Sequence, residues 1–229
     1  MYAEFTFRGN NITLPKEEQA ELISAFYATL GEVGKQLHAH SRYKDFTFSR
    51  LMSDHHKVTQ TSVTFTGEVT WRFSSATEET VEAVAKAIKF RRGLVFGDTI
   101  MPLEMIELRE PKVASEISTY TMTPVVVSVT QENGFRRYFK PYESEFATRL
   151  AQNVKRRYEF LTGRVAGELS AIAYGDEAEK VPVGIKERIV EGWKTIIDWS
   201  GDAGMVKYAV DAGVGEKNAL GFGMLERVG

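Results

Sequence analysis

Two stretches of this chain combine residue types and spacings suited to chemistry. Near the C-terminus, Gly213-Val214-Gly215-Glu216-Lys217-Asn218-Ala219-Leu220-Gly221-Phe222-Gly223 surrounds one lysine and one asparagine with glycines, and the chain then turns apolar as a final strand would. Glycine accepts φ > 0 and lets backbone amides come close to a ligand. Oriented N–H groups beside a lysine make a cradle for an anion, and phosphate is the simplest anion to fill it. Turn-shaping alone is the other reading of the same glycines. No G-x-x-x-x-G-K-[ST] run is present, and the glycines precede a short terminal strand rather than linking a strand to a helix. Neither a P-loop nor a dinucleotide fold is supported. In the other stretch, His38 and His40 flank Ala39, and Lys44 follows. Imidazole exchanges its proton near neutral pH and so serves as general acid or base. A lysine ammonium is a compact point charge suited to a phosphate.

Both stretches carry a resemblance. Residues 213–223 resemble the glycine-rich signature G-x-G-x-x-x-x-x-G-F-G of the CRISPR repeat-RNA processing endoribonucleases, members of the repeat-associated mysterious protein superfamily. Residues 37–51 are similar to that family's other recurrent block, a histidine followed by a basic residue and then an F-T-F-S-x-L strand, here Phe46-Thr47-Phe48-Ser49-Arg50-Leu51. Ser41-Arg42 stands where the family commonly has glycine, and Asp45 where it commonly has proline.

The resemblance implies a nuclease that uses RNA's own 2′-OH as nucleophile and leaves a 2′,3′-cyclic phosphate and a 5′-OH. Such an enzyme calls for a base, an acid and a cation at the phosphorane, with no metal or other cofactor. His38, His40 or both would be base or acid, and Lys44 the cation. Tyr27, on the preceding helix and eleven residues (about three turns) before His38, would share its face as a positioning or acid–base hydroxyl; a core tyrosine is the competing reading, and Tyr43 is a weaker candidate of the same kind. Gly213, Gly215, Lys217, Asn218, Gly221 and Gly223 would hold the RNA backbone, and Lys155, Arg156 and Arg157 would add electrostatic affinity. The implied partner is a CRISPR repeat transcript, with other CRISPR effector subunits or a second copy of the chain as further partners. A non-catalytic RNA-binding subunit of a CRISPR effector complex is the alternative.

Composition sets bounds on this. With 29 Lys+Arg against 31 Asp+Glu the net charge is −2, so RNA binding has to rest on local clusters: Arg91-Arg92, Arg136-Arg137 with Lys140, and Lys155-Arg156-Arg157. The absence of cysteine removes disulfides and thiolate ligands and fits a reducing cytoplasm. No signal-peptide pattern or long apolar run is present, which excludes a membrane role on this reading. Asp54-His55-His56 invites a metal reading, but without recognised ligand spacing an exposed loop is the stronger one.

The elements that must position these residues follow from periodicity. Tyr2–Arg8 alternates as a strand; a helix opens at Pro15-Lys16 and carries Leu22, Ile23, Phe26 and Leu30, with Gly31 and Gly34 loosening its end. Phe46–Leu51 and Ser62–Phe73 read as strands, Thr77–Phe90 as a helix and Thr99–Leu108 as a strand. Then come Tyr120–Thr130 and Phe135–Tyr142 as strands about a Gln131–Gly134 turn, and a helix over Glu143–Leu161. Ile185–Val190 and Trp193–Ser200 are two strands or one amphipathic helix; Ala203–Ala212 is a short helix and Phe222–Val228 a last strand. The order predicts an α+β protein of two tandem ferredoxin-like (βαββαβ, RRM-like) domains, at 1–111 and 112–229, the second ending in the glycine-rich loop.

Overall fold

The computed structural model describes residues 1–16, 18–39, 43–185 and 188–228, and only the backbone of residues 18, 38 and 39. Its first half runs β1 (Tyr2–Arg8), β2 (Ile12–Pro15), α1 (Glu18–Leu30), α2 (Glu32–Ala39), β3 (Phe46–Phe48), β4 (His56–Val58), β5 (Ser62–Phe65), β6 (Glu68–Ser75), α3 (Glu78–Arg91), β7 (Gly93–Phe96) and β8 (Thr99–Arg109). The second runs β9 (Glu116–Thr121), β10 (Ser128–Thr130), β11 (Arg136–Tyr138), α4 (Ser144–Thr162), β12 (Leu169–Ala173), β13 (Glu179–Ile185), β14 (Arg188–Lys194), β15 (Ile196–Gly201), α5 (Ala203–Ala212), a single 3₁₀ turn (Asn218–Leu220) and β16 (Leu225–Arg227).

The main sheets have one topology. The first is ordered β3-β6-β1-β8, with β7 added at the β8 edge; the second is β12-β15-β9-β16. In both, the four shared strands lie in the spatial order second, third, first, fourth. Helices follow the first and third of them. That is the split βαβ arrangement twice over, so the protein is two tandem ferredoxin-like folds. The halves differ in their insertions. A three-stranded sheet β2-β5-β4 sits in the first, and the hairpins β10-β11 and β13-β14 sit in the second.

Each main sheet buries one face. Ala3, Phe5 and Phe7 of β1 alternate into a core with Phe26, Phe46, Phe48, Trp71 and Phe73. Trp199 of β15 anchors the second core against Phe146, Leu150 and Val154 of α4 and Val206 and Ala209 of α5. Among the described residues no helix is long and apolar enough to cross a membrane.

Three expected elements came out differently, each for a local reason. Ser62–Phe73 is two strands: the chain leaves β5 at Thr66-Gly67, where a Cβ on Gly67 would lie 2.9 Å from the His55 ring. Hydrophobic alternation continues in phase through that break and hides it. Tyr120–Thr130 also divides, because Pro124 interrupts the ladder between β9 and β10. The single helix expected to lead toward His38 is interrupted at Gly31, which adopts φ +55° between α1 and α2. Tyr27 and His38 therefore lie on different helices, and the reasoning that put them on one face does not hold. The segment 185–200, open between strands and a helix, forms the strands β14 and β15.

Candidate functional site

The glycine-rich segment leaves α5 and passes between the two halves. Gly213, Gly215, Gly221 and Gly223 are all buried or half-buried. At Gly223, with φ +73°, a Cβ would collide with the Val214 carbonyl; at Gly221, with φ +78°, it would lie 2.8 Å from the Phe48 ring. Close approach is what these glycines allow, but the thing approached is the protein itself. The amides follow suit. Val214 N–H donates to Gly223 O (2.8 Å), Glu216 N–H to Val126 O (2.8 Å), Leu220 N–H to Lys217 O (2.8 Å), Gly221 N–H to Asn218 O (2.8 Å) and Gly223 N–H to Pro124 O (3.0 Å). The expected cradle of open amides is corrected at these five positions, whose donors are already used inside the fold.

Asn218 is a staple of this loop rather than an exposed ligand. It is 6% exposed, and its Nδ2 donates to Val214 O and Phe222 O, both at 3.0 Å. Its Oδ1 accepts from Arg157 Nη1 at 2.5 Å, while Arg157 Nη2 donates to Gly213 O. Arg157 is 1% exposed, with its guanidinium 5.6 Å from the Tyr208 ring centroid. The expectation that Arg157 adds surface charge fails for that reason. Burial pushes this guanidinium below its ordinary range, and among the described residues no carboxylate pairs with it. Of the expected cluster, Lys155 is half-buried and Arg156 exposed.

Side chains of the first half grip the same loop by its carbonyls. Gln19 Nε2 donates to Leu220 O (2.7 Å), Thr47 Oγ1 to Phe222 O (2.8 Å) and Tyr27 Oη to Ala219 O (3.3 Å). Burial pushes the Tyr27 hydroxyl up to about 12, so at neutral pH it is a proton donor and not a base. Its ring packs edge-on against Phe26 at 4.9 Å.

Beside the loop lies a cleft of about 540 Å³ that gathers residues from both halves: Tyr43 and Lys44 from the first, Arg136, Arg156, Gly215 and Lys217 from the second. Lys217 is a non-glycine residue held at φ +65°, and it lines the cleft. Burial, together with the nearby charges of Arg136 and Arg188, pushes its ammonium below the usual lysine range, against the opposing pull of Glu216. Arg136 pairs with Glu216 at 3.0 Å, and that carboxylate also accepts from the Ser128 amide and hydroxyl. Lys44 Nζ donates to the carbonyl of Leu37 at 2.5 Å, and burial pushes it downward too. Among the described residues that line it, Lys44, Arg136, Arg156 and Lys217, with the buried Arg157 behind them, face the one carboxylate of Glu216 and make this cleft positive on a chain whose net charge is negative.

His38 occupies the last turn of α2, directly after the residue whose carbonyl holds Lys44; its side chain, and all of His40, lie outside the described residues. His55 and His56 sit at the small three-stranded sheet, exposed, with His56 Nδ1 2.7 Å from Ser53 O. Among the described residues no three His, Asp or Glu side chains come together as a metal site would require. Sequence reasoning missed Gln19 and Thr47 as holders of the loop, since nothing local marks a side chain whose partner is about two hundred residues away. It singled out the Arg136 cluster without joining it to the site.

Residues 108–227 match the family model described as CRISPR associated protein Cas6, C-terminal. The chain belongs to the Cas6 family. A relative from Methanocaldococcus jannaschii, named CRISPR-associated endoribonuclease Cas6 1, is 25% identical over an alignment covering 100% of this chain and 93% of that protein. Another, from Pyrococcus furiosus and named CRISPR-associated endoribonuclease Cas6, is 24% identical over 91% of this chain and 80% of its own length. Among solved structures, one described as CRISPR associated protein Cas6 superposes with a TM-score of 0.84 at 22% identity, covering 100% of this chain and 99% of that one. A Cas6-related protein from Pyrococcus furiosus gives 0.85 at 20% identity, with 100% and 98% covered. These likenesses show the fold that Cas6 proteins share.

Proposed function

We propose that this chain is an endoribonuclease that cuts CRISPR repeat transcripts into guide RNAs through attack of the RNA's own 2′-OH, leaving a 2′,3′-cyclic phosphate and a 5′-OH. The reading rests on the family and on one observation, the cationic cleft where Lys44 of the first half meets Arg156 and Lys217 of the second. A phosphodiester in that cleft is held by point charges that burial has partly stripped of water, which strengthens each interaction. His38, His40 or both act as general base or acid, since imidazole is the side chain that does either near neutral pH. Lys44 leaves the Leu37 carbonyl to neutralise the phosphorane, and Tyr27 positions the loop through Ala219. Lys155 and Arg156 add affinity from the exposed side of α4. Gly213, Gly215, Gly221 and Gly223, with Asn218 and Arg157, set the shape of the loop that presents Lys217. On this view residues 1–111 carry the catalysis and 112–229 the loop. Nothing in the scheme calls for a metal ion, because the nucleophile is already on the substrate.

The test is one gel. Purified protein is incubated with its host's CRISPR repeat RNA in excess EDTA. Cleavage at one position is the expected result. Tight binding without cleavage, with or without added metal, overturns the nuclease reading in favour of a binding subunit.

A further inference from the structure

Phe160 lies on α4 one turn beyond Arg156, and residues four apart on a helix are neighbours. It is 56% exposed and belongs to neither core. The Tyr43 ring, which lines the cleft, meets it edge-on with centroids 5.3 Å apart. Isolated exposed aromatics need no explanation. This one sits at the rim of the positive cleft, steadied by a residue from the other half of the protein. The carboxylates near this rim have partners of their own: Glu216 pairs with Arg136, Glu159 beside Phe160 accepts from the Ala166 amide, and Asp45 accepts from the Thr77 hydroxyl. Arg156 donates to the Gln152 carbonyl of its own helix, at 3.3 Å. An exposed cation and an exposed ring one turn apart match the alternation of phosphate and base along a single strand.

We propose that the open face of the Phe160 ring, steadied by Tyr43, stacks one unpaired base of the RNA whose phosphate lies beside Arg156. Bases inside a duplex are stacked on each other and have no free face to offer, so this fixes the substrate class at the cleft rim: a single-stranded stretch or the frayed end of a hairpin, not the interior of a stem. The inference rests on the cleft being the RNA site.

The test uses the host's repeat RNA made uncleavable by a 2′-deoxy sugar at the mapped cut site, with 2-aminopurine placed at successive positions. Binding by the wild type and by Phe160→Trp is expected to quench the fluorescence at one position. Phe160→Ala and Phe160→Leu are expected to leave that position bright and to weaken binding by roughly 5- to 150-fold, the worth of one base stacked on one ring. Unchanged melting temperatures in these variants show that the loss is not one of folding. Wild-type affinity in Phe160→Leu, or quenching that survives in Phe160→Ala, overturns the stacking. If the wild type cuts the unmodified repeat while those variants bind normally, the nuclease reading stands and only the stacking falls. If Phe160-dependent quenching accompanies an uncut unmodified repeat, the stacking stands and the nuclease reading falls.

Discussion

Replacing Arg157 by methionine separates a buried strut from a surface cation. Methionine keeps much of the apolar bulk and removes the guanidinium, which leaves Asn218 Oδ1 and Gly213 O buried without their donors. Each such orphan costs about 1–3 kcal/mol, a gross loss of ~2–6 kcal/mol for the two. Part of this is returned because a desolvated cation is no longer buried, and the net destabilisation expected is ~1–4 kcal/mol. Urea unfolding of the full chain measures it. RNA affinity, measured under conditions where the variant is folded, should keep its dependence on salt, since Arg157 neutralises no phosphate. The double substitution Lys155→Ala with Arg156→Ala should do the reverse. Stability should hold, and the log–log salt slope should flatten by about 0.7–0.9 for each phosphate left without its cation. Wild-type stability in Arg157→Met, together with a flattened slope, refutes the placement of Arg157 as an internal strut.

Gly221→Ala puts a Cβ against the Phe48 ring at a φ of +78° and is expected to cost ~1–3 kcal/mol in urea unfolding; a stable variant that merely fails to bind RNA would mean the glycine faces the ligand instead. His38→Ala or His40→Ala should slow cleavage by roughly 10²–10⁴-fold while RNA affinity holds, measured in single-turnover assays, and full activity in both variants removes histidine from the mechanism. Burial pushes the Lys44 and Lys217 ammonium groups below the ordinary lysine range, so their attraction for phosphate is lost as pH rises through those lowered values. RNA affinity should therefore start to fall at a lower pH than exposed lysines would give, and the double substitution Lys44→Arg with Lys217→Arg should remove that early fall, as read from binding isotherms across the alkaline range.

The fold was legible in the sequence because most of its elements bury one clean stripe: Ala3-Phe5-Phe7 fixes β1, and α5 begins and ends at the expected residues. The strands β2, β4 and β13 were missed because β2 and β4 are only three or four residues long and β13 carries a proline, with few of their side chains buried. Arg157 was misplaced although its signal was present. Phe146, Leu150, Val154 and Arg157 follow one another at helical spacing, so the buried stripe of α4 runs straight into the arginine, while Arg156 beside it turns outward. The run of three cations suggested a surface, and periodicity contradicted it. The glycines were ambiguous in principle, since φ > 0 and a missing Cβ serve a ligand and a packed neighbour equally well. Only the third dimension shows that Val214, Phe48 and Val126 are the neighbours.

The chemistry itself comes down to one oxygen atom. A repeat RNA carrying a single 2′-deoxy sugar immediately 5′ of the scissile phosphate should bind like the unmodified RNA and remain uncut. The unmodified strand, in excess EDTA, should yield a 2′,3′-cyclic phosphate and a 5′-OH. Cleavage of the deoxy strand would show that water or hydroxide attacks the phosphorus, and attack by the RNA's own 2′-OH would then be wrong.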